Sequence, residues 1–241
     1  MNINKSYNFE AGEILLVDKP LKWTSFDLVK RIRTRVCKHL GVKKLKVGHA
    51  GTLDPLATGL MIICTGRATK QIDSYLSDTK EYIAKIMVGA TTPSFDLESE
   101  IDHTYPFNHI TKEMVENVLK SFLGEISQTP PIFSAIKIDG QRAYDLARSG
   151  QEVEMVSRKV TMLELELIDF QLPMLEIRIK CSKGTYIRSF ARDLGLALNS
   201  GGYLAGLIRT KIGDFSLEQA HNANELLLFL ENLKQNQNPS V

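Results

Sequence analysis

Hydrophobic positions along the chain recur with helical spacing in some segments and with strand spacing in others. Residues 26–40 carry apolar side chains on one helical face, with Ser25 as the expected N-cap, and residues 111–123 repeat that spacing. Residues 60–64 form a continuous apolar run that predicts a buried strand, while residues 81–88 alternate as a half-buried strand does. The chain therefore contains both kinds of element.

Similar hydrophobic patterns occur along the rest of the chain. Further strands are predicted over residues 13–17, 132–138, 160–170, 175–181 and 204–212, and further helices over residues 70–76, 143–148 and 185–198. A C-terminal helix is expected to contain Leu226, Leu227, Leu228 and Leu230. A hairpin-like loop is expected at residues 91–102, and residues 235–241 form a polar tail. Because strands and helices do not alternate strictly, we expect an α+β fold with a largely antiparallel sheet and flanking helices.

Composition excludes several classes of protein. The 43% hydrophobic content supports a substantial core, and no apolar run approaches the roughly 20 residues of a membrane helix. The first ten residues lack the apolar stretch of a signal peptide. The three cysteines have no CxxC spacing and the five histidines no zinc-ligand spacing. We therefore expect a cytoplasmic protein without a membrane or a structural metal.

Positive charge is concentrated in one interval, although the net charge is only +2. Residues 28–53 contain no acidic residue and eight cations: Lys30, Arg31, Arg33, Arg35, Lys38, Lys43, Lys44 and Lys46. Such a run is either a solvated face or a phosphate-binding surface. Because it ends beside the glycine-rich segment at residues 48–59, we favour a phosphate-binding surface, with Lys43, Lys44 and Lys46 as the candidate contacts.

The most distinctive segment is GHAGTLDPLATG at residues 48–59. Asp54 is the one formally charged residue between residues 47 and 66. Pro55 disfavours a helix at Asp54, and the glycines allow close approach of a ligand. An aspartate in such a place either caps a turn or uses its carboxylate chemically. The dodecapeptide as a whole favours the second interpretation.

The segment resembles the catalytic-loop signature of the TruB family of RNA pseudouridine synthases. Other matching segments follow in the expected order: LVDKP at 16–20, WTS at 23–25, TGRATK at 65–70, KEY at 80–82, PPIFSAIK at 130–137, GQRAY at 140–144, CSKGTYIR at 181–188 and LIRT at 207–210. The resemblance runs from about residue 13 to about residue 215. It implies the pseudouridine synthase fold, a long mixed sheet with a central active-site cleft.

The resemblance also assigns roles to individual residues. It makes Asp54 the catalytic aspartate, which acts either as a nucleophile or as a base that abstracts a ribose proton. Arg188 matches the arginine that pairs with this aspartate, and Tyr82 matches the tyrosine that packs on the target base. His49 matches a histidine that fills the space of the flipped base, and Leu207 an apolar residue near the uracil.

Three further cations are expected to contribute to substrate binding. Lys19, together with the following proline, is expected to shape the cleft. Lys183 and Arg209 are candidates for either RNA contacts or structural contacts. Neither a Walker phosphate loop nor a dinucleotide-binding glycine motif occurs in the sequence, and isomerisation needs no redox step, so we expect no cofactor.

The resemblance implies that uridine 55 in the T-loop of tRNA is the substrate, bound through the T-arm stem-loop by a monomer without guide RNA. Many members of the family carry a C-terminal PUA domain. Here we expect a catalytic domain at residues 1–215, a short helix with a polar tail at residues 216–241, and no PUA domain. Three alternatives stay open: a guide-dependent relative, a non-catalytic RNA-folding chaperone, and an N-glycosylase that releases the base.

Overall fold

The structure is a computed structural model that describes residues 7–134, 137–138, 141–142 and 155–233. The chain packs as two compact units, the first made by residues up to 80 together with those from 208 onward, the second by residues 81–207. Both contain strands and helices, as the α+β prediction requires. None of the helices in the described ranges is long and apolar enough to cross a membrane.

The first unit begins with strand β1 (Ile14–Lys19), helix α1 (Ser25–Leu40), strand β2 (Val47–His49), strand β3 (Ala57–Thr65) and helix α2 (Ile72–Ser77). Helix α1 starts after Thr24, whose side chain and that of Asp27 form a capping box, so the predicted cap at Ser25 is one residue late. The antiparallel pairing of β1 with β3 aligns Asp18 with Leu60 and Lys19 with Gly59. This register places the start of β3 beside the end of β1.

The second unit contains strands β4 (Lys80–Val88), β5 (Ala90–Thr91), β6 (His103–Thr104), β7 (Gly124–Gln128), β8 (Lys137–Ile138), β9 (Gln141–Arg142), β10 (Arg158–Gln171) and β11 (Met174–Cys181). Helices α3 (Lys112–Ser121) and α4 (Ile187–Ala197) accompany them. Strand order runs β4-β11-β10-β7, and β10 is antiparallel to both of its neighbours. The predicted strand at 132–138 is wrong at its start, because residues 132–134 form a bend after two prolines.

The chain then enters β12 (Gly202–Ile212), β13 (Phe215–Ser216), β14 (His221–Asn222) and helix α5 (Ala223–Asn232). In the first unit the strand order is β14-β1-β3, followed by the C-terminal part of β12. Helix α5 packs against α1. The helical turn predicted at 143–148 and the tail predicted at 235–241 lie outside the described residues.

The core of the first unit surrounds the apolar run that the sequence places after the candidate loop. Residues 60–64 of β3 are fully buried, and Leu28, Ile32 and Val36 of α1 are buried on one helical face. Ala50, at the start of the loop, belongs to the same apolar core as Leu60. The loop that carries Asp54 is therefore attached at both ends to well-packed structure.

Candidate active site

The loop between β2 and β3 is held to helix α1 immediately before Asp54. The Ser25 hydroxyl donates to the Leu53 carbonyl at 2.9 Å and accepts from the Leu53 amide at 2.8 Å. After Asp54, the Pro55 carbonyl accepts from the Lys22 amide at 2.8 Å. Residues on both sides of Asp54 are thus bonded to the segment that leads into α1, and the Asp54 backbone is fixed in place.

Gly59 allows the close packing of the loop against β12. Its φ is +103°, and an added Cβ would lie 2.4 Å from the Arg209 carbonyl oxygen. Its amide donates to the Asp18 carboxylate at 3.1 Å. The glycine at this position of the motif is therefore required both by backbone conformation and by the distance to a neighbouring strand.

Arg209 connects the two ends of the loop from inside the first unit. Its side chain is almost fully buried, Nε donates to the Leu60 carbonyl at 2.8 Å, and Nη2 donates to the Gly51 carbonyl at 3.1 Å. Nη1 lies at 3.5 Å from the Thr52 carbonyl. Of the two roles expected for Arg209, the structural one matches this position, because the guanidinium is bound to loop carbonyls.

Lys19 is a second buried cation beside the loop. Its ammonium donates to the Trp23 carbonyl at 2.6 Å and to the Pro20 carbonyl at 3.0 Å. Burial lowers the pKa of Lys19 to about 8, and the nearby Asp54 carboxylate opposes that shift. Because the pKa stays above 7, Lys19 presents a positive charge to Asp54 at neutral pH.

His49 ends β2 and is half-buried. Burial and the charge of Arg209 lower the pKa of His49, while a hydrogen bond to the Gly51 backbone opposes the change. The imidazole is therefore neutral at pH 7. A neutral ring can occupy an apolar space left by a base without the desolvation cost of an imidazolium.

In the second unit, Tyr82 and Arg188 are both buried. Tyr82 belongs to the inward-facing row of β4, and Arg188 lies in the first turn of α4. The Arg188 guanidinium donates from Nη2 to the Phe133 carbonyl at 3.0 Å, and Nε lies 3.6 Å from the Asp96 carboxylate. The Arg188 side chain is thus bound inside the second unit.

Asp96 is a buried carboxylate that the sequence pattern alone does not single out. The hydroxyls of Thr92 and Ser94 donate to the Asp96 carbonyl at 2.7 and 3.1 Å, and the Glu98 amide donates to its carboxylate at 2.9 Å. The acid-rich composition of residues 91–102 predicts only a loop there. Thr92 and Ser94 before Asp96 give a more specific indication, because hydroxyl side chains followed by an aspartate are typical of a tight turn.

The other predicted residues occupy varied environments. Lys183 is exposed in the turn before α4, and Leu207 is half-buried on β12. Lys43, Lys44 and Lys46 are all exposed between α1 and β2. Within the described residues, no group of three or more His, Cys, Asp or Glu side chains is arranged to hold a metal ion.

Comparisons with known proteins agree on one family. The profile of the TruB family pseudouridylate synthase N-terminal domain matches residues 38–187. A protein named tRNA pseudouridine synthase B from Phocaeicola vulgatus is 63% identical over 88% of this chain and 90% of its own length. The proteins of that name from Parabacteroides distasonis and Flavobacterium johnsoniae are 59% and 52% identical, each over more than nine-tenths of both chains.

Solved structures show the same fold. A chain of the Cbf5-Nop10-Gar1 complex superimposes with a TM-score of 0.68 at 26% identity, over 92% of this chain and 55% of its own. A chain of an H/ACA RNP bound to a substrate RNA containing 2'-deoxyuridine gives a TM-score of 0.65 at 24% identity. The present chain spans about half the length of these solved chains. With a family profile over most of the chain and relatives above 50% identity along nearly all of it, the protein belongs to the TruB family of pseudouridylate synthases.

Proposed function

We propose that this protein converts a uridine of tRNA to pseudouridine, and that the target is uridine 55 in the T-loop. The observation that carries the proposal is the position of the Asp54 carboxylate in the family loop, where Ser25 binds the preceding residue and Lys22 the following one. The relatives above 50% identity share the name tRNA pseudouridine synthase B, which supports tRNA as the substrate.

The reaction breaks the C1′–N1 glycosidic bond of the uridine, turns the uracil and joins C1′ to C5. A carboxylate suits this chemistry because it can attack an electrophilic sugar carbon, act as a base or stabilise positive charge on the ribose, as in glycosidases. We assign one of these roles to Asp54. The buried cation Lys19 supports the assignment, since its charge favours the ionised form of Asp54.

We also propose roles for the remaining site residues. Tyr82 packs on the target base, Leu207 contacts the uracil, and Arg188 supplies positive charge to the catalytic carboxylate. His49 fills the place of the uridine when it leaves the stack, which costs a few kcal/mol of unstacking energy. Its neutral imidazole supports this role, because a flat uncharged ring replaces an aromatic base with little desolvation.

The T arm is proposed as the part of tRNA that the protein holds. Lys43, Lys44 and Lys46 precede β2 and are exposed, so they can reach phosphates of an RNA whose target base is at the loop. Lys183 is proposed as a further RNA contact. We propose that a monomer acts without guide RNA, and that a T-arm stem-loop reacts with nearly the kcat/KM of full tRNA.

The test is product analysis after incubation of the purified protein with an unmodified tRNA transcript and no guide RNA. Pseudouridine at position 55 alone is the expected result. Release of free uracil would instead identify an N-glycosylase. Unchanged uridine that becomes reactive after a guide RNA is added would identify a guide-dependent enzyme, and unchanged uridine with accelerated tRNA folding would identify a chaperone.

A further inference from the structure

The segment between β1 and α1 lies directly against the loop of Asp54, and its polar backbone is already bonded. Lys22 donates its amide to Pro55, and Trp23 offers its carbonyl to the buried ammonium of Lys19. Ser25 binds both backbone groups of Leu53. Lys22 and Ser25 of this segment are consequently bonded to the two residues that flank Asp54.

Of the two aromatic side chains of this segment, Phe26 is exposed and Trp23 is half-buried. Phe26, in the first turn of α1, is 62% exposed, a large fraction for a phenyl ring. The Trp23 ring lies 4.3 Å beneath the Arg31 guanidinium, in a cation–π contact. The Trp23–Arg31 pair thus forms a flat, positively charged surface beside an exposed phenyl ring.

The charge of this surface identifies the kind of partner. Lys22, Lys30 and Arg31 are exposed in the same stretch of sequence as the two rings. Asp27 is the one acidic residue between residues 21 and 31, and its carboxylate accepts hydrogen bonds from the Thr24 amide and hydroxyl at 3.0 and 2.6 Å. Aromatic rings interleaved with cations are suited to nucleic acid, because bases stack on the rings while phosphates contact the cations.

We propose that Trp23, stacked with Arg31, and Phe26 form a base-stacking surface for unpaired nucleotides of the substrate RNA that flank the target uridine. This inference rests on the proposed function, since it places those nucleotides beside the Asp54 loop. Once a uridine has left its stack, its neighbours lose a stacking partner, and this surface supplies a replacement. The surface raises RNA affinity without taking part in bond cleavage.

The sequence offers a direct probe, because Trp23 is the single tryptophan of the chain. A T-arm stem-loop RNA titrated into the wild-type protein should quench the fluorescence of Trp23 and protect it from acrylamide. An RNA hairpin whose loop bases are themselves paired should quench the fluorescence of Trp23 much less, because its bases stay stacked. Unchanged Trp23 emission at saturating stem-loop RNA would overturn the proposal.

Variants separate stacking from charge. Phe26→Ala should weaken binding of the stem-loop by about 5-fold or more, since base–aromatic stacking contributes roughly 1–3 kcal/mol per base. The loss should be the same at low and high salt, because no charge is removed. Leu228→Ala, at a leucine on α5 that is 61% exposed, is the matched control and should bind as wild type does.

The substitutions also distinguish failure of this inference from failure of the proposed function. Phe26 is exposed, so its replacement leaves the fold intact, and thermal unfolding of the variant verifies this. A wild-type protein that forms pseudouridine, together with a Phe26→Ala variant of normal affinity and single-turnover rate, would overturn the stacking surface alone. Loss of affinity with an unchanged rate at saturating RNA is the expected result.

Discussion

At the scale of single residues, the site depends on buried charges whose partners are mostly backbone carbonyls. Lys19 is fully buried and donates to two of them, and burial lowers its pKa to about 8. A lysine in such a place destabilises the fold while it is charged and less so once it is neutral. The protein thus keeps a cation beside Asp54 at the expense of some stability.

The pH dependence of stability measures this effect. The ordinary pKa of lysine is 10.5, so between pH 8 and 10.5 the unfolded chain binds a proton that folded Lys19 has released. The contribution of Lys19 to the free energy of unfolding therefore rises with pH across this window. In urea titrations, wild type should gain stability relative to Lys19→Met between these two pH values. A constant difference would contradict the account, and Lys120→Met, on the exposed side of α3, is the control.

The pair formed by Asp96 and Arg188 gives a second prediction at this scale. Both side chains are about 95% buried, and Asn at position 96 keeps the size of the group but removes its charge. If Asp96 positions Arg188 for catalysis, Asp96→Asn should lower the single-turnover rate by about 100-fold, the cost of a displacement near 1 Å in a catalytic group. RNA affinity should stay within about threefold.

Asp102→Asn is the control for this experiment. Asp102 is an exposed carboxylate of the same segment and accepts a hydrogen bond from the Thr91 hydroxyl. Its replacement should leave the rate unchanged. Parallel losses of thermal stability and RNA affinity in Asp96→Asn, with a normal rate at saturating RNA, would assign Asp96 a purely structural role.

At the level of structural elements, the loop of Asp54 is rich in glycine, yet it is hydrogen-bonded to the surrounding elements. Its glycines suggest mobility, yet Arg209, Ser25 and β3 hold it on several sides. Gly59 explains the need for glycine, because its positive φ and missing side chain allow the loop to contact the Arg209 backbone. In this loop, glycine serves close packing.

Two alanine substitutions test that interpretation. Gly59→Ala must place a Cβ against the backbone of Arg209, whereas Gly41→Ala, at the C-cap of α1, meets no atom within 4 Å. Both positions have positive φ, so Gly41→Ala should cost only about 1 kcal/mol of backbone strain. Gly59→Ala should cost at least about 2 kcal/mol more in urea unfolding. Equal costs would mean that Gly59 is needed for its φ alone.

Much of the fold follows from sequence because local signals and burial agree there. The apolar run of β3, the alternation of β4 and the helical face of α1 are confirmed within a few residues. Strand β7 is not predicted from the sequence, since its residues GEISQ contain a single strongly apolar side chain. These residues form a strand because they pair with β10. Asp96 escapes it for a similar reason, because its partner Arg188 is distant in the sequence.

At the scale of the whole molecule, charge distribution matters more than net charge. The net charge is +2, yet residues 28–53 carry eight cations and no acid. Such a local field attracts a polyanion even when the whole protein is nearly neutral. We therefore expect the affinity for RNA to depend on salt concentration through particular lysines.

Replacement of Lys43, Lys44 and Lys46 by glutamine together tests the location of the phosphate contacts. The log–log slope of RNA affinity against salt concentration should fall by roughly 0.7–0.9 for each phosphate that is no longer neutralised by a lysine. The modified uridine should stay the same, because phosphate contacts position the RNA and do not read its sequence. Glutamine at Lys112, Lys120 and Lys159 removes equal charge elsewhere and should preserve the slope. If both triple variants behave alike, the RNA does not use the predicted lysines.

One experiment tests directly whether Asp54 carries out the isomerisation of a tRNA uridine. It is a single-turnover assay of pseudouridine formation with saturating Asp54→Asn protein, beside wild type and the exposed control Asp73→Asn. We expect normal turnover for wild type and Asp73→Asn, and no product for Asp54→Asn, whose Kd for tRNA stays within about tenfold of wild type. Pseudouridine formed by a preparation of Asp54→Asn free of wild-type enzyme would show that Asp54 is not the catalytic group.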